Sequence, residues 1–413
     1  MTEQLKLKLN DSKATRWGAL VIVAFTMMAA YYVNDVVAPL KTMLETDLAW
    51  SSTDFGFFTG GYSFLNVFFL MLIWGGLILD RFGIRFTGKL ATILMVGGTA
   101  LEYYAMTGLA GADATLFGIN EIFGYKTGVF VAFAGYSIFG VGAEVAGITV
   151  SKIIAKWFKG KELATAMGVQ VALARIGSQA GYAVAIPLAR AFGISTPVLL
   201  GLVLLLGGMI AFFIFAVMDK KLDKQMEAAA IAAGTEDEEE KFSFKDVKNI
   251  LVNPGFWLIA LLCVLFYSCV FPFQKFASEL MIIKYGINEN VAGTFAGLPA
   301  LGALILTPVF GGFIDKRGKS ASIMLLGSAM LICVHFIYAI PDINYWLVAI
   351  VLMIILGIAF SLVPSAMWPA VAKIFPVSQL GTAYALIFFI QNIGLWGIPT
   401  LIGWVLDAYC ICL

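Results

Sequence analysis

Gly76-Leu77-Ile78-Leu79-Asp80-Arg81-Phe82-Gly83-Ile84-Arg85 returns 235 positions later as Gly311-Gly312-Phe313-Ile314-Asp315-Lys316-Arg317-Gly318-Lys319. Both copies keep a glycine, an aspartate four residues on, a basic residue next to it and a second glycine. A second echo runs at an offset of 217. Ala155-Lys156-Trp157-Phe158 returns as Ala372-Lys373-Ile374-Phe375, and Ala174-Arg175-Ile176-Gly177 as Gln391-Asn392-Ile393-Gly394. The chain is therefore internally duplicated, and a duplicated membrane protein carries its substrate site where the copies face each other.

Composition places that duplication in a membrane. Apolar residues make up 61% of 413 and charged residues 13%, with a mean hydropathy of +0.91. Soluble domains hold about 45–50% apolar and about 25% charged residues. Apolar runs of crossing length are read at 17–39, 52–79, 87–108, 127–157, 163–190, 196–218, 254–283, 289–314, 320–340, 345–373 and 379–405. Residues 1–218 then form a first bundle of six crossings, 219–253 a linker with the acidic run Glu236–Glu240, and 254–413 a second bundle of five. The sixth crossing of the second bundle, the twelfth overall, is expected to be missing from this chain. Residues 1–16 contain no signal-peptide core, so the first span is expected to stay as an anchor.

The basic residues orient the spans. Twenty-one Lys and Arg lie at the N-terminus or in every second loop, four lie on the opposite side, and Arg175 and Lys275 fall within spans. The positive-inside rule puts the N-terminus and the linker in the cytoplasm. The five cysteines (Cys263, Cys269, Cys333, Cys410 and Cys412) show neither a metal spacing nor a disulfide framework.

Two six-span bundles joined by a cytoplasmic linker resemble the major facilitator superfamily, and the duplicated loop resembles its signature after the second and eighth helices. The all-α fold implied is a pair of pseudo-symmetric bundles. Gly76, Asp80, Arg81, Gly83, Asp315 and Lys316 then form a conformational latch, with Gly76 permitting close helix contact and Asp80 meeting a helix N-terminus or a cation. A narrower resemblance rests on Trp157-Phe158-Lys159-Gly160-Lys161-Glu162-Leu163, Ala174–Ser178, Val270-Phe271-Pro272-Phe273, Trp368-Pro369, Leu380–Tyr384 and Gln391–Leu395. These are similar to the lysosomal dipeptide uniporter group, the major facilitator superfamily domain-containing protein 1 group and its bacterial relatives. That resemblance implies facilitated dipeptide movement, with a membrane-embedded acid on the peptide amine and an arginine on its carboxylate. The matching positions are Glu144 and Arg175. No acidic-dileucine sorting signal precedes the first span, so a bacterial inner membrane is expected rather than a lysosome.

The residues themselves point to the same pair. Glu144 lies 13 residues before the end of its span and Arg175 12 after the start of the next. At about 1.5 Å per residue, both sit roughly 18–20 Å above one surface. Inserting an arginine at mid-membrane costs roughly 2.5–3.5 kcal/mol and an acid a similar amount, so both must face a wet cavity or each other. The duplicate positions, Ser361 and Asn392, are neutral. A closed ion pair stapling two helices and a site for a zwitterion both remain open. Ser178 and Gln179 share the Arg175 face; Tyr267, Gln391 and Asn392 reach a similar depth from the second bundle. Tyr32, Asn34, Tyr62 and Asn66 are candidate wall and gate groups. Lys275 counts to about 30 Å up, where snorkelling competes with substrate contact. Asp35 is expected to be a solvated gate residue, and His335 a packed one.

The function expected is a facilitative or secondary-active carrier of small zwitterions, dipeptides foremost. The alternative is a proton-coupled carrier of an organic anion, with Arg175 on the anion and Glu144 relaying protons. An enzyme is not expected: the sequence holds no nucleophile–base pair, metal spacing or phosphate-cradling loop, and no cofactor is implied. The expected partners are a small-molecule substrate and the lipid bilayer, with no nucleic acid, and the carrier is expected to be a monomer.

Overall fold

The computed structural model describes residues 8–111, 114–159, 161–233, 244–375 and 377–408. Long apolar segments become helices because helices satisfy every backbone donor and acceptor internally, as lipid requires. They run α1 (Lys13–Val36), α2 (Lys41–Leu48), α3 (Ser52–Phe68), α4 (Met71–Thr107), α5 (Thr127–Trp157), α6 (Leu163–Phe192), α7 (Thr196–Ala233) and α8 (Phe244–Val252). Then come α9 (Pro254–Ile283), α10 (Glu289–Ala296), α11 (Leu298–Arg317), α12 (Ser320–Ala339), α13 (Trp346–Ile374) and α14 (Val377–Ala408).

Polar caps set several of the starts. The Ser12 hydroxyl accepts from the Thr15 amide at 3.4 Å, Ser51 and Asp54 form a capping box, and the Asn253 side chain accepts from the Gly255 amide at 2.8 Å. Such residues take up amides that the first turn leaves unpaired.

Two breaks reshape the second and third crossings. Leu70 is left-handed at φ 54°, and α3 and α4 bend by 58° there, so the segment read as one straight span over 52–79 is kinked. Gly83, at φ 75° and ψ 173°, divides α4 into 71–82 and 84–107. Only glycine takes that conformation without strain. The described residues are almost entirely helical, all-α as expected. Eight helices are long and apolar enough to span a bilayer by composition, and the bent α3–α4 pair makes a ninth. The helix α6 fails that test; it carries Gln170, Arg175, Ser178, Gln179 and Arg190.

The segment read as a linker is helical over much of its length. α7 runs on to Ala233 and α8 occupies Phe244–Val252, while the acidic run at 236–240 lies outside the described residues. One apolar core draws on helices from Ala19 to Leu222 and another runs from Ile250 to Ile387. They interlock at one end, where Phe276 joins the first core and Ala38 and Tyr182 join the second.

The two ends of the bundle differ. At the basic end, Asp219 is fully buried and accepts from Trp157 Nε1 at 2.9 Å and Lys156 Nζ at 2.8 Å, with Arg85 at 3.5 Å. Glu162 accepts from Arg16 at 3.0 Å and from Trp17 Nε1 at 3.1 Å, tying α1 to the start of α6. At the opposite end, buried Lys41 meets Glu45 and Glu279, each at 2.5 Å, and Ser52 at 2.9 Å. Arg190 pairs there with Glu289, and Asp407 accepts from the Ser52 and Thr53 amides at 3.1 and 2.7 Å. These bonds hold α2, α3 and α6 against α9, α10 and α14.

Candidate functional site: a charged cavity between the helix groups

A cavity of about 610 Å³ lies where the first helices face the last, below the bonded Lys41 end. Helical spacing places its walls. From α5 come Tyr136, Glu144, Ile148 and Ser151; from α6, Gln170 and Arg175; from α9, Tyr267, Phe271 and Lys275, four residues apart. Residues four apart share a helix face. Tyr31 and Asn34 of α1 and Tyr62 of α3 close one side, and Trp368, Phe388 and Gln391 the other.

Glu144 and Arg175 share this cavity and do not pair. The Tyr62 hydroxyl donates to Glu144 at 3.0 Å. The Arg175 guanidinium lies 5.6 Å from the Tyr31 ring centre and 5.2 Å from that of Phe360, a cation–π arrangement. Among the described residues no carboxylate comes within ion-pair distance of Arg175. Tyr62 can stand where it does because residue 140 is glycine: a methyl at Gly140 would run into the Tyr62 carbonyl. On the facing wall, Trp368 Nε1 donates to the Tyr267 hydroxyl at 3.2 Å, and Tyr384 holds the Trp368 carbonyl at 3.0 Å. Gln391 accepts from the Cys263 thiol at 3.3 Å.

Two expectations need correction. Lys275 does not snorkel. It is 9% exposed, and its ammonium donates to the Asn34 carbonyl at 2.5 Å and to Asp35 at 3.1 Å, and contacts the Tyr136 hydroxyl at 3.3 Å. Asp35 is no solvated gate residue. It is buried and accepts from Ser178, from Asn34 at 2.8 Å and from Lys275. The count along α9 placed Lys275 at the correct end but said nothing of the direction it faces, which is inward.

Of the other candidates, Asn34, Tyr62, Tyr267 and Gln391 line the cavity, and Tyr32, Asn66, Ser178, Gln179 and Asn392 do not. Tyr32 turns its hydroxyl to the Pro197 carbonyl, 3.2 Å away; its neighbour Tyr31 is the wall residue. Asn66 is buried within the first helices. Gln179 donates to the Thr294 carbonyl at 3.3 Å, and Asn392 to that of Phe388 at 2.9 Å. Sequence reasoning missed Tyr31, Tyr136, Gln170, Ser151 and Trp368; for Tyr136 and Ser151 the available signal was their spacing of about two turns from Glu144 on the same helix. His335 is packed, within hydrogen-bond distance of the Leu331 and Cys269 carbonyls.

The duplicated loop sits away from the cavity. Asp80 pairs with Lys152 at 2.9 Å, Arg81 lies over Phe82 at 5.5 Å and Lys316 is exposed near the end of α11. The side chain of Asp315 lies outside the described residues. A methyl added at Gly76 would meet no neighbour, whereas one at the adjacent Gly75 would run into Val145, so the close-contact position is one residue earlier than expected.

Two groups of membrane-crossing helices around a central polar cavity, with a repeated loop at one end, define a solute carrier. The chain belongs to the Major Facilitator Superfamily, whose model matches residues 20–397. It is 29% identical over 409 residues to the lysosomal dipeptide transporter MFSD1 of Homo sapiens, covering 96% of this chain and 81% of that protein. The MFSD1 of Gallus gallus is 33% identical over 287 residues, 66% of this chain and 62% of that protein. The fold matches a single-site mutant of the nucleoside transporter NupG with a TM-score of 0.69 at 13% identity, over 95% of this chain and 91% of that one. It also matches a bacterial homologue of the human lysosomal transporter Spinster, inward-facing and unoccupied, at 0.66 and 16% identity over 96% and 84%. The protein is a multi-pass membrane transporter of small molecules, not an enzyme.

Proposed function

We propose that this carrier moves dipeptides, with Glu144 holding the ammonium and Arg175 the carboxylate, by rocking one helix group against the other. The carrying observation is that these two opposite charges line one cavity unpaired with each other. Two residues of extended chain reach about 7 Å at most, so a dipeptide's termini suit an acid and a base set apart. A forked guanidinium matches a carboxylate in two parallel bonds. The aromatic wall of Tyr267, Trp368 and Phe388 then meets the side chains. The MFSD1 relatives, as dipeptide transporters, support the same cargo. On this reading the basic end faces the cytoplasm, the bonded Lys41 end is the closed outer gate, and the Asp80–Lys152 loop is a latch of the opposite state.

The second cation in the wall, Lys275, favours a second reading in which the cargo is an organic anion and Glu144 carries a proton. Glu144→Gln separates the two in reconstituted liposomes. Under the dipeptide reading it lowers uptake of a free-amine dipeptide by about tenfold or more, one lost charged contact, and leaves the residual uptake of the N-acetylated form nearly unchanged. Equal losses for both forms would remove Glu144 from amine recognition. Parent uptake that collapses without a pH gradient would favour the proton-coupled anion carrier.

A further inference from the structure

Three ion pairs join α1–α7 to α9–α14 at the Lys41 end among the described residues: Lys41–Glu279, Arg190–Glu289 and Lys275–Asp35. Their surroundings differ. Lys41 is 1% exposed and lies outside the cavity wall. The Arg190–Glu289 side chains are 43% and 41% exposed, at the protein surface. Lys275 alone presents its side chain to the cavity, while its partner Asp35 stays behind the wall. A solute in the cavity therefore meets the side chain of one gate pair and neither member of the others.

We propose that Lys275–Asp35 is the gate bond that cargo itself releases, making opening of the closed end conditional on an anionic group in the cavity. The inference rests on the dipeptide reading and adds the coupling step to it. When the empty carrier separates its helix groups, the Lys275–Asp35 pair must be broken with no ion taking the place of either member, which opposes opening. The cargo carboxylate held by Arg175 accepts from Lys275 as well, and so takes the place of Asp35. Asp35 keeps Ser178 and Asn34, both on its own side of the gate. Loading then favours the opened state through a differential contact, the only way a ligand can shift such an equilibrium. The pair is also built onto both site helices. Ser178 follows Arg175 by one helical turn on α6, and Tyr136, beside Lys275, stands two turns before Glu144 on α5.

The test uses the full-length carrier with native cysteines replaced and spin labels at Asp47 and Asp342, both exposed at the closed end. Dialanine at millimolar concentration is the probe, and melting temperature reports binding separately. In the parent, dialanine raises the long-distance population by about fivefold or more, the lower range of ordinary site-to-site coupling. Asp35→Asn shows that population already without dialanine and responds less than twofold, while Asp35→Glu restores the response. Lys41→Met, which breaks a pair that cargo cannot reach, raises the population in both states and keeps the parental response. Equal responses in Asp35→Asn and the parent, or a lost response in Lys41→Met, overturn the gate assignment. A parent whose melting temperature dialanine does not raise overturns the dipeptide reading instead.

Discussion

Glu144 and Arg175 line one cavity while each is held by aromatic residues rather than by the other: Tyr62 donates to the acid at 3.0 Å, and Tyr31 and Phe360 flank the base. A closed ion pair would have to be broken before cargo could enter. Here both charges are already turned toward the cavity, and the tyrosine hydroxyl and ring faces supply part of the solvation that lipid withholds.

Arg175→Lys is expected to lower dipeptide uptake more than tenfold despite keeping the charge. Lysine presents a compact ammonium and has neither the fork for a carboxylate nor the planar face that stacks between Tyr31 and Phe360. Liposome uptake and ligand-induced melting shifts check this, and a lysine variant with parental uptake would mean that only the charge counts.

Gly140→Val should disconnect Tyr62 from Glu144. The added branches meet the Tyr62 carbonyl, and α3 and α5 must part to admit them. Dialanine affinity is predicted to fall about tenfold or more, matching one lost charge-assisted hydrogen bond. Tyr62→Phe should reproduce most of that loss without moving the helices; a phenylalanine variant with parental affinity would separate Tyr62 from binding.

Asp219 gathers Trp157, Lys156 and Arg85 at the basic end while fully buried. Asp219→Asn leaves those donors undercompensated and should cost about 3–5 kcal/mol, the usual penalty for breaking a buried charge network. Thermal melting in detergent reads the loss. The Asp80→Asn change removes a pair whose side chains are 70% and 40% exposed and should move the melting temperature very little, because exposed pairs contribute under about 1 kcal/mol.

Acid should free the N-terminal segment. Arg16 and Trp17 bonded to Glu162 hold its carboxyl below the usual range, and Lys161 with the Lys8 amide does the same for Asp11. A depressed folded-state value stabilises above the unfolded value, about 4, and that contribution fades as pH falls through the folded one. Hydrogen-exchange protection factors over residues 8–16, which allow for the slower intrinsic exchange in acid, should stay high at about pH 6 and fall below about pH 4. Protection that persists at about pH 3 would show that these bonds do not hold the segment.

Depth was legible in the sequence, whereas facing was not. Counting residues from span ends placed Glu144, Arg175, Tyr267 and Gln391 at one level, and all four line the cavity. The duplication offset added Asn392 beside Gln391, and on the first helix Tyr32 was named where Tyr31 lines the wall. Neighbouring residues point about 100° apart on a helix, so an error of one position turns a wall residue into a packing residue. Lys275 shows the complementary failure: its height was right, but nothing in a linear count reveals that α1 presents Asp35 and the Asn34 carbonyl to receive it. The kink at Leu70 also escaped reading, because a left-handed leucine leaves no compositional trace.

The cavity divides its chemistry unevenly. Both unpaired charges come from α5 and α6, while Trp368, Phe388 and Tyr267 belong to the later helices. Under the dipeptide reading proposed above, a grip on the invariant ends of a peptide is thereby physically separate from the surface that meets its variable part. Exchanging one indole or phenyl ring for a smaller group would enlarge the accepted repertoire without touching the handle, so new diets can evolve on this scaffold by changes confined to one flank.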